Sequence, residues 1–244
     1  MTLPVFLSAD VTGTVAGSSV ELAGDEGRHA AVVRRIRVGE QVVLTDGGGT
    51  AATCEVVETT RSGLTATVLS VSVTARQEPE VTVVQAIPKG DRGELAVEML
   101  TELGVDRIVP WAAARCVAVW RGDRVARSLE KWRAASREAA KQSRRAWFPS
   151  VSGVAATEDV ADLLASADLG VVLHEQAASR FADLPVARAR SVVVVVGPEG
   201  GLTEEELRVF SDAQVVRLGP SVLRTSTAGV AAVAALLSRT QRWR

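Results

Sequence analysis

The sequence predicts an α/β protein, with a helix-covered parallel sheet behind a smaller β-rich domain. Three observations carry this prediction. The first ~75 residues hold short β-branched stretches separated by Gly or Asp. From about residue 80 onward, strand-like and helix-like stretches alternate, the pattern of a parallel sheet with crossover helices. Val192 to Val196 is an unbroken run of five valines. Such a run cannot alternate in and out, so both faces of that strand must be covered. The domains are predicted at residues 1–75 and 76–244, with the seam at the polar stretch TARQEPE.

The elements follow in order. QVVLTD, TAATCEVVETT and GLTATVLSVSV read as strands, and Asp46-Gly47-Gly48-Gly49 reads as a hairpin turn between the first two. EGRHAAVVRR is the one helical stretch of this domain. In the second domain VTVVQAI is a strand. GELAVEMLTELG is a helix, with Leu95, Met99 and Leu103 at i, i+4 spacing and Gly104 as its stop. DRIVPWAA is a strand and RVARSLEKWRAASREAAKQSRR a long helix. On that helix Val125, Leu129, Trp132, Ser136 and Ala139 fall on one arc, and Arg133, Arg137, Lys141 and Arg144 on another. LGVVLHE and SVVVVVG are buried-type strands, VVRLGP is a short one, and TEEELRVFSDA and AGVAAVAALLSRTQ are helices. Full burial of each valine contributes ~1.5–3 kcal/mol, which puts the five-valine strand at the sheet's centre.

Composition removes several function classes. Net charge is −1, whereas a protein that coats nucleic acid non-specifically is usually strongly basic. Any RNA contact must therefore come from local patches. Of the 28 basic residues only Lys89, Lys131 and Lys141 are Lys; Arg suits bidentate phosphate contact. No apolar run reaches the ~18 residues of a membrane span, and the N-terminus lacks a signal-peptide pattern. Cys54 and Cys116 lie far apart, forming neither a metal motif nor a disulfide framework. With two His residues far apart and no HExxH, no metal site is predicted. A cytoplasmic protein is the expectation.

The stretch VVVVVGPEGGLTEEEL holds the main chemical signal. In an open parallel sheet, ligands sit beyond the carboxyl ends of the strands, where Gly197 to Gly201 fall. The bend is neither a phosphate-binding GxxxxGK[ST] loop nor a GxGxxG fingerprint. Its glycines permit close backbone approach or positive φ, and Thr203 with Glu206 forms a capping box. A tight, well-capped turn with no ligand is the competing reading. A second strand–bend–helix, VVRLGPSVLRTSTAGVAAVAALL, repeats the arrangement.

GPEGGLTEEE followed by LGPSVLRTSTA resembles the ribosomal RNA small subunit methyltransferase E family, within the SPOUT class of methyltransferases. GRHAAVVRRIRVGEQVVLTDGGG, PKGDRGELAVEMLTELGVDRIVPW and EKWRAASREAAKQSRRAWFPSV are similar to the family's other blocks, in order, over nearly the whole chain. One position departs: where the family usually has Glu, this chain has Ser226. A mechanism resting on that carboxylate does not carry over.

The resemblance implies a C-terminal SPOUT domain with a deep trefoil knot, an N-terminal PUA-like RNA-binding domain, and a homodimer. It implies S-adenosylmethionine as cofactor and uridine N3 methylation near the 3′ end of 16S rRNA, in the assembled small subunit. It assigns the cofactor to three loops: Leu173, His174 and Glu175; Gly197, Glu199, Gly200 and Gly201; and Leu218, Gly219, Ser221, Val222 and Leu223, with Thr227 at the helix start. Arg224 is the catalytic expectation, a cation near the uracil oxygens. RNA contacts are expected at Arg28, His29, Arg34, Arg35, Arg37, Lys89, Arg92, Arg133, Arg137, Lys141, Arg144 and Arg145. The alternatives are the same fold acting on another RNA or a ribose 2′-hydroxyl, and a non-catalytic RNA-binding assembly factor.

Overall fold

The computed structural model describes residues 3–243. The chain forms two compact units, Met1–Arg76 with Ala140–Phe148, and Gln77–Ala139 with Pro149–Arg244.

The first unit contains β1 (Val5–Leu7), β2 (Ser19–Leu22), α1 (Gly24–Arg28), β3 (Gln41–Thr45), β4 (Thr50–Thr59) and β5 (Leu64–Val73). α1 runs on into a π-helical turn, His29–Val33. The strands form one sheet in the order β1-β3-β4-β5-β2, antiparallel except for β1 beside β3. Ala52, Cys54 and Val56 on β4 and Leu64, Ala66 and Val68 on β5 are buried at every second position, so one face makes the core. Desolvation there pushes the Cys54 thiol up to about 11.

The β3–β4 turn is a hairpin, and it accommodates a distant segment. Asp46 Oδ1 accepts the Gly48 and Thr50 N–H groups at 2.7 and 3.0 Å. A Cβ on Gly47 would come 2.9 Å from the Phe148 ring, and one on Gly49 2.6 Å from Trp147. Trp147 Nε1 donates to the Thr74 carbonyl at 2.8 Å, and the Arg76 guanidinium lies 4.3 Å from the centre of the Trp147 indole.

The second unit contains β6 (Glu80–Ala86), α2 (Arg92–Leu103), β7 (Arg107–Trp111), α3 (Asp123–Gln142, its last turn belonging to the first unit), β8 (Ser150–Val151) and α4 (Thr157–Ser166). β9 (Leu169–Leu173), β10 (Ser179–Arg180), β11 (Ser191–Val196), α5 (Glu204–Val209), β12 (Gln214–Arg217) and α6 (Thr225–Leu237) follow. All seven strands are parallel, in the order β10-β12-β9-β11-β6-β7-β8. β11 is the middle strand. Val192, Val194 and Val196 pack with Leu100 of α2, Trp132 of α3 and Leu236 of α6. Val193 and Val195 pack on the other face with Val160 and Leu164 of α4 and Phe210. One run of valines thus feeds two cores.

Two expectations are corrected. α2 buries Gly93, Ala96, Val97, Leu100 and Thr101, while Leu95 is 46% exposed. The helix packs on α6, so its small residues face inward rather than the Leu95 row. Lys141 is buried, with Nζ 2.6 Å from Glu26 Oε1. A charge removed from water needs a partner, so Lys141 serves the first unit's interior and leaves the exposed basic arc.

Candidate active site

Parallel strands present their carboxyl ends at one edge of the sheet. The loops after β9, β11 and β12 meet there around a cavity of about 320 Å³, within the range of small-molecule sites.

The first loop contributes Leu173, His174 and Glu175. The His174 N–H donates to the Val216 carbonyl at 3.0 Å, holding the loop to β12. His174 Nδ1 accepts the Gln176 N–H at 3.2 Å, so a neutral ring carries its proton on Nε2.

The second loop contributes Val196, Gly197, Pro198, Glu199, Gly201 and Leu202. Gly201 has φ +70°, and its N–H closes the turn on the Pro198 carbonyl at 3.0 Å. Gly200 does not line the cavity; a Cβ there would meet Arg115 Cβ at 3.0 Å. Arg115 Nη1 donates to the Gly200 and Leu202 carbonyls, both at 3.2 Å. The predicted capping box is formed: Thr203 Oγ1 accepts the Glu206 N–H, and Glu206 Oε2 accepts the Thr203 N–H at 2.8 Å. The other oxygen of buried Glu206 accepts the Ala114 N–H at 2.8 Å. Glu199 Oε1 accepts the Lys89 N–H at 3.3 Å, tying the bend to the turn before α2. Burial raises the nearby Cys116 thiol, with the charges of Glu199 and Glu206 adding to the effect.

The third loop contributes Leu218, Gly219, Ser221, Val222, Leu223 and Arg224, followed by Thr225 and Ala228 of α6. Arg224 is the N-cap residue. Its carbonyl accepts the Thr227 and Ala228 N–H groups at 2.9 Å and the Thr227 hydroxyl at 3.1 Å. Thr227 is therefore turned to the helix start and does not line the cavity. The Arg224 side chain is exposed at the cavity's edge. Ser226 is buried in the first turn of α6. Buried Gln85 of β6 donates to the carbonyls of Thr225 and Ala86 at 3.3 and 3.2 Å, pinning that first turn to the sheet.

Arg92 also lines the cavity, from the start of α2. The cavity thus holds two guanidinium groups, the carboxylates of Glu175 and Glu199, and walls of peptide backbone and apolar side chains. Such a lining can hold a planar ring by its faces and read its edge through peptide groups.

The remaining predicted RNA residues fall in several places. In the first unit Arg28, Arg34, Arg35, Arg37 and Arg144 are exposed, and Arg145 is half-buried. His29 is half-buried, edge-on to Phe6 at 6.1 Å. In the second unit Lys89 and Arg133 are exposed, and exposed Arg137 lies 3.4 Å from Glu130. Sequence reasoning missed Arg115, Gln85 and the second role of Glu206. The one available signal was a lone Gln inside the apolar strand VTVVQAI. Among the described residues no His, Cys, Asp and Glu group could hold a metal ion, and no helix is long and apolar enough to cross a membrane.

Comparison with known proteins adds the family. Residues 76–237 match the RNA methyltransferase domain, and residues 22–69 the RNA methyltransferase PUA domain. A ribosomal RNA small subunit methyltransferase E from Mycobacterium bovis is 50% identical over 93% of this chain and 89% of its own. One from Bacillus subtilis is 30% identical over 90% of each. The solved structure of one from Neisseria gonorrhoeae, bound to S-adenosyl methionine, is 29% identical and superposes with a TM-score of 0.87, covering 97% of this chain and 98% of that one.

Proposed function

The chain belongs to the ribosomal RNA small subunit methyltransferase E family, and on that premise we propose that it methylates N3 of a uridine near the 3′ end of 16S rRNA, in assembled small subunits, using S-adenosylmethionine. The observation that carries this reading is the closure of three sheet-end loops around one cavity bearing Arg92 and Arg224.

The lining suits that cofactor. Leu173, Leu218, Val222 and Leu223 offer apolar contact to an adenine ring. Peptide groups around Gly219, and those around Gly201 other than its N–H, which the Pro198 carbonyl holds, can pair with its edge, because neither position is crowded by a neighbouring atom. Glu175 and Glu199 offer acceptors to hydroxyl and amino groups. The bound cofactor would supply a methyl group on a positively charged sulfur, open to direct displacement.

The protein's part is alignment and charge. Holding both reactants in line can lower a barrier by about 7–11 kcal/mol. When uracil N3 gives up its proton to solvent water, negative charge builds on the ring oxygens; as N3 then bonds to the methyl carbon, the carbon–sulfur bond would break and its electron pair go to the sulfur. Arg224 stabilises that charge, and its carbonyl contacts to Thr227 and Ala228 fix where the side chain starts. Glu199 holds the bend through Lys89. The same reading includes a homodimer, a trefoil knot through the cofactor loops, a cytoplasmic location, and RNA contact by the exposed arginines of the first unit.

Calorimetric titration with S-adenosylmethionine tests the cavity; absence of binding would contradict it. Arg224→Ala then separates the roles. It should keep cofactor affinity and lose about a hundredfold in turnover. Full turnover in that variant removes Arg224 from the chemistry.

A further inference from the structure

A second cavity, of about 500 Å³, lies against the same turn that walls the first. The start of α2 is shared: Arg92 lines the first cavity, while Asp91 and Gly93 line the second. The opposite wall is the first half of α3, with Trp120 ahead of it.

This wall is built rather than incidental. Trp132, 1% exposed, meets Trp120 edge-on at 5.2 Å and holds its ring in place. Gly93 allows α2 to start directly on Trp132, since a Cβ there would be 2.7 Å from the indole. Trp120 itself is half-buried and contributes to the cavity lining. Arg124, Arg127 and Lys131 stand at i, i+3 and i+7, on one side of α3. Among the described residues none of these three cations is in an ion pair.

An indole platform beside unpaired cations on a helix is the chemistry of a single-stranded nucleic-acid subsite. Bases stack on the ring, and the cations follow the phosphates. Asp91 and Glu94, on the α2 side, repel phosphate and can accept from a base's amino edge. The charges therefore orient a nucleotide, with its backbone on α3 and its base edge toward α2.

We propose that this cavity holds a nucleotide of the substrate RNA neighbouring the one methylated, its base against Trp120 and its phosphates on Arg124, Arg127 and Lys131. This rests on the RNA reading of the first cavity, because one turn of chain separates the two.

The test is fluorescence anisotropy of the full chain with a short, labelled single-stranded RNA across a salt series. The Arg124→Gln, Arg127→Gln, Lys131→Gln triple variant should bind at least tenfold more weakly at low salt. Its log K against log salt slope should flatten by about two, at ~0.7 per phosphate contact. Trp120→Ala should cost about tenfold and Trp120→Phe recover most of it, as stacking requires. An unchanged slope and affinity in the triple variant overturns the proposal. So does a Trp120→Phe protein as weak as Trp120→Ala, or a mononucleotide that binds this cavity without displacement by the RNA. Methyl transfer by the wild type is read separately. No transfer by the wild type, with the slope loss present in the triple variant, supports the RNA subsite and removes only the target assignment. Wild type with transfer and no slope loss in the variant overturns only the subsite.

Discussion

The chain makes two glycine-rich bends directly after strands, and it uses them differently. At Asp46–Gly49 the space beside Gly47 and Gly49 is filled by the protein's own aromatic residues, Phe148 and Trp147. At Gly197–Gly201 two glycines are also taken up by the protein: Gly197 by Leu202, and Gly200 by Arg115. The third, Gly201, has a positive φ and no neighbour within 4 Å, and Gly219 on the next loop is equally open. A glycine-rich bend therefore announces close approach without saying what approaches. The free space beside it decides between the protein's own core and a ligand.

The comparison can be broken most sharply at Gly49. Its φ is +101°, and a Cβ would lie 2.6 Å from Trp147 and 2.8 Å from the Thr74 carbonyl. Overpacking plus left-handed strain should make Gly49→Ala cost about 3 kcal/mol, read as a lower urea midpoint for the first unit. A midpoint unchanged within error would mean the aromatic segment does not fill that turn. Gly201→Ala meets strain but no clash, so about 1 kcal/mol is expected. Gly219→Ala meets neither strain nor a neighbour and should change stability by less than about 0.5 kcal/mol. In that variant a roughly tenfold loss of S-adenosylmethionine affinity, about 1.4 kcal/mol, would show that ligand occupies the open space. Unchanged affinity would mean that the space at Gly219 holds only solvent.

The smallest effect concerns pH. Partial burial works to raise the Asp46 carboxyl, but the Gly48 and Thr50 N–H groups outweigh it and hold it below its ordinary value. A carboxyl depressed on folding stabilises the fold above its unfolded value and loses that contribution as pH falls through the folded one. Asp46→Asn should therefore flatten the acid limb of stability, leaving neutral pH as the place where wild type and variant differ most. An unchanged acid limb would show that the hairpin turn does not depend on the charge.

Much of the second unit was readable because its signals are local. Five valines admit only a strand covered on both faces, and Thr203 with Glu206 marks a helix start by spacing alone. α4 gave little signal: only Val160 and Leu164 on it are buried. The buried face of α2 could not be chosen from α2, because the small residues of α6 select it. Spacing alone puts Lys141 on the basic arc expected to meet RNA, since helical periodicity carries no record of Glu26, distant in sequence. The return of Ala140–Phe148 to the first unit depends on the room left by Gly47 and Gly49. At the candidate site, loop membership was legible from the strand ends and from the family's motifs. Gln85 and Arg115 were not, because each acts through carbonyls of a remote loop.

The central claim is that the cavity after β9, β11 and β12 serves methylation of small-subunit rRNA. Its most direct test is tritium transfer from labelled S-adenosylmethionine into small subunits from cells lacking this protein, followed by nucleoside mass spectrometry of the 16S rRNA. The account predicts 3-methyluridine at a single site, with transfer strongly reduced by Arg224→Ala. No transfer, or label appearing in a 2′-O-methyl nucleoside, would contradict it.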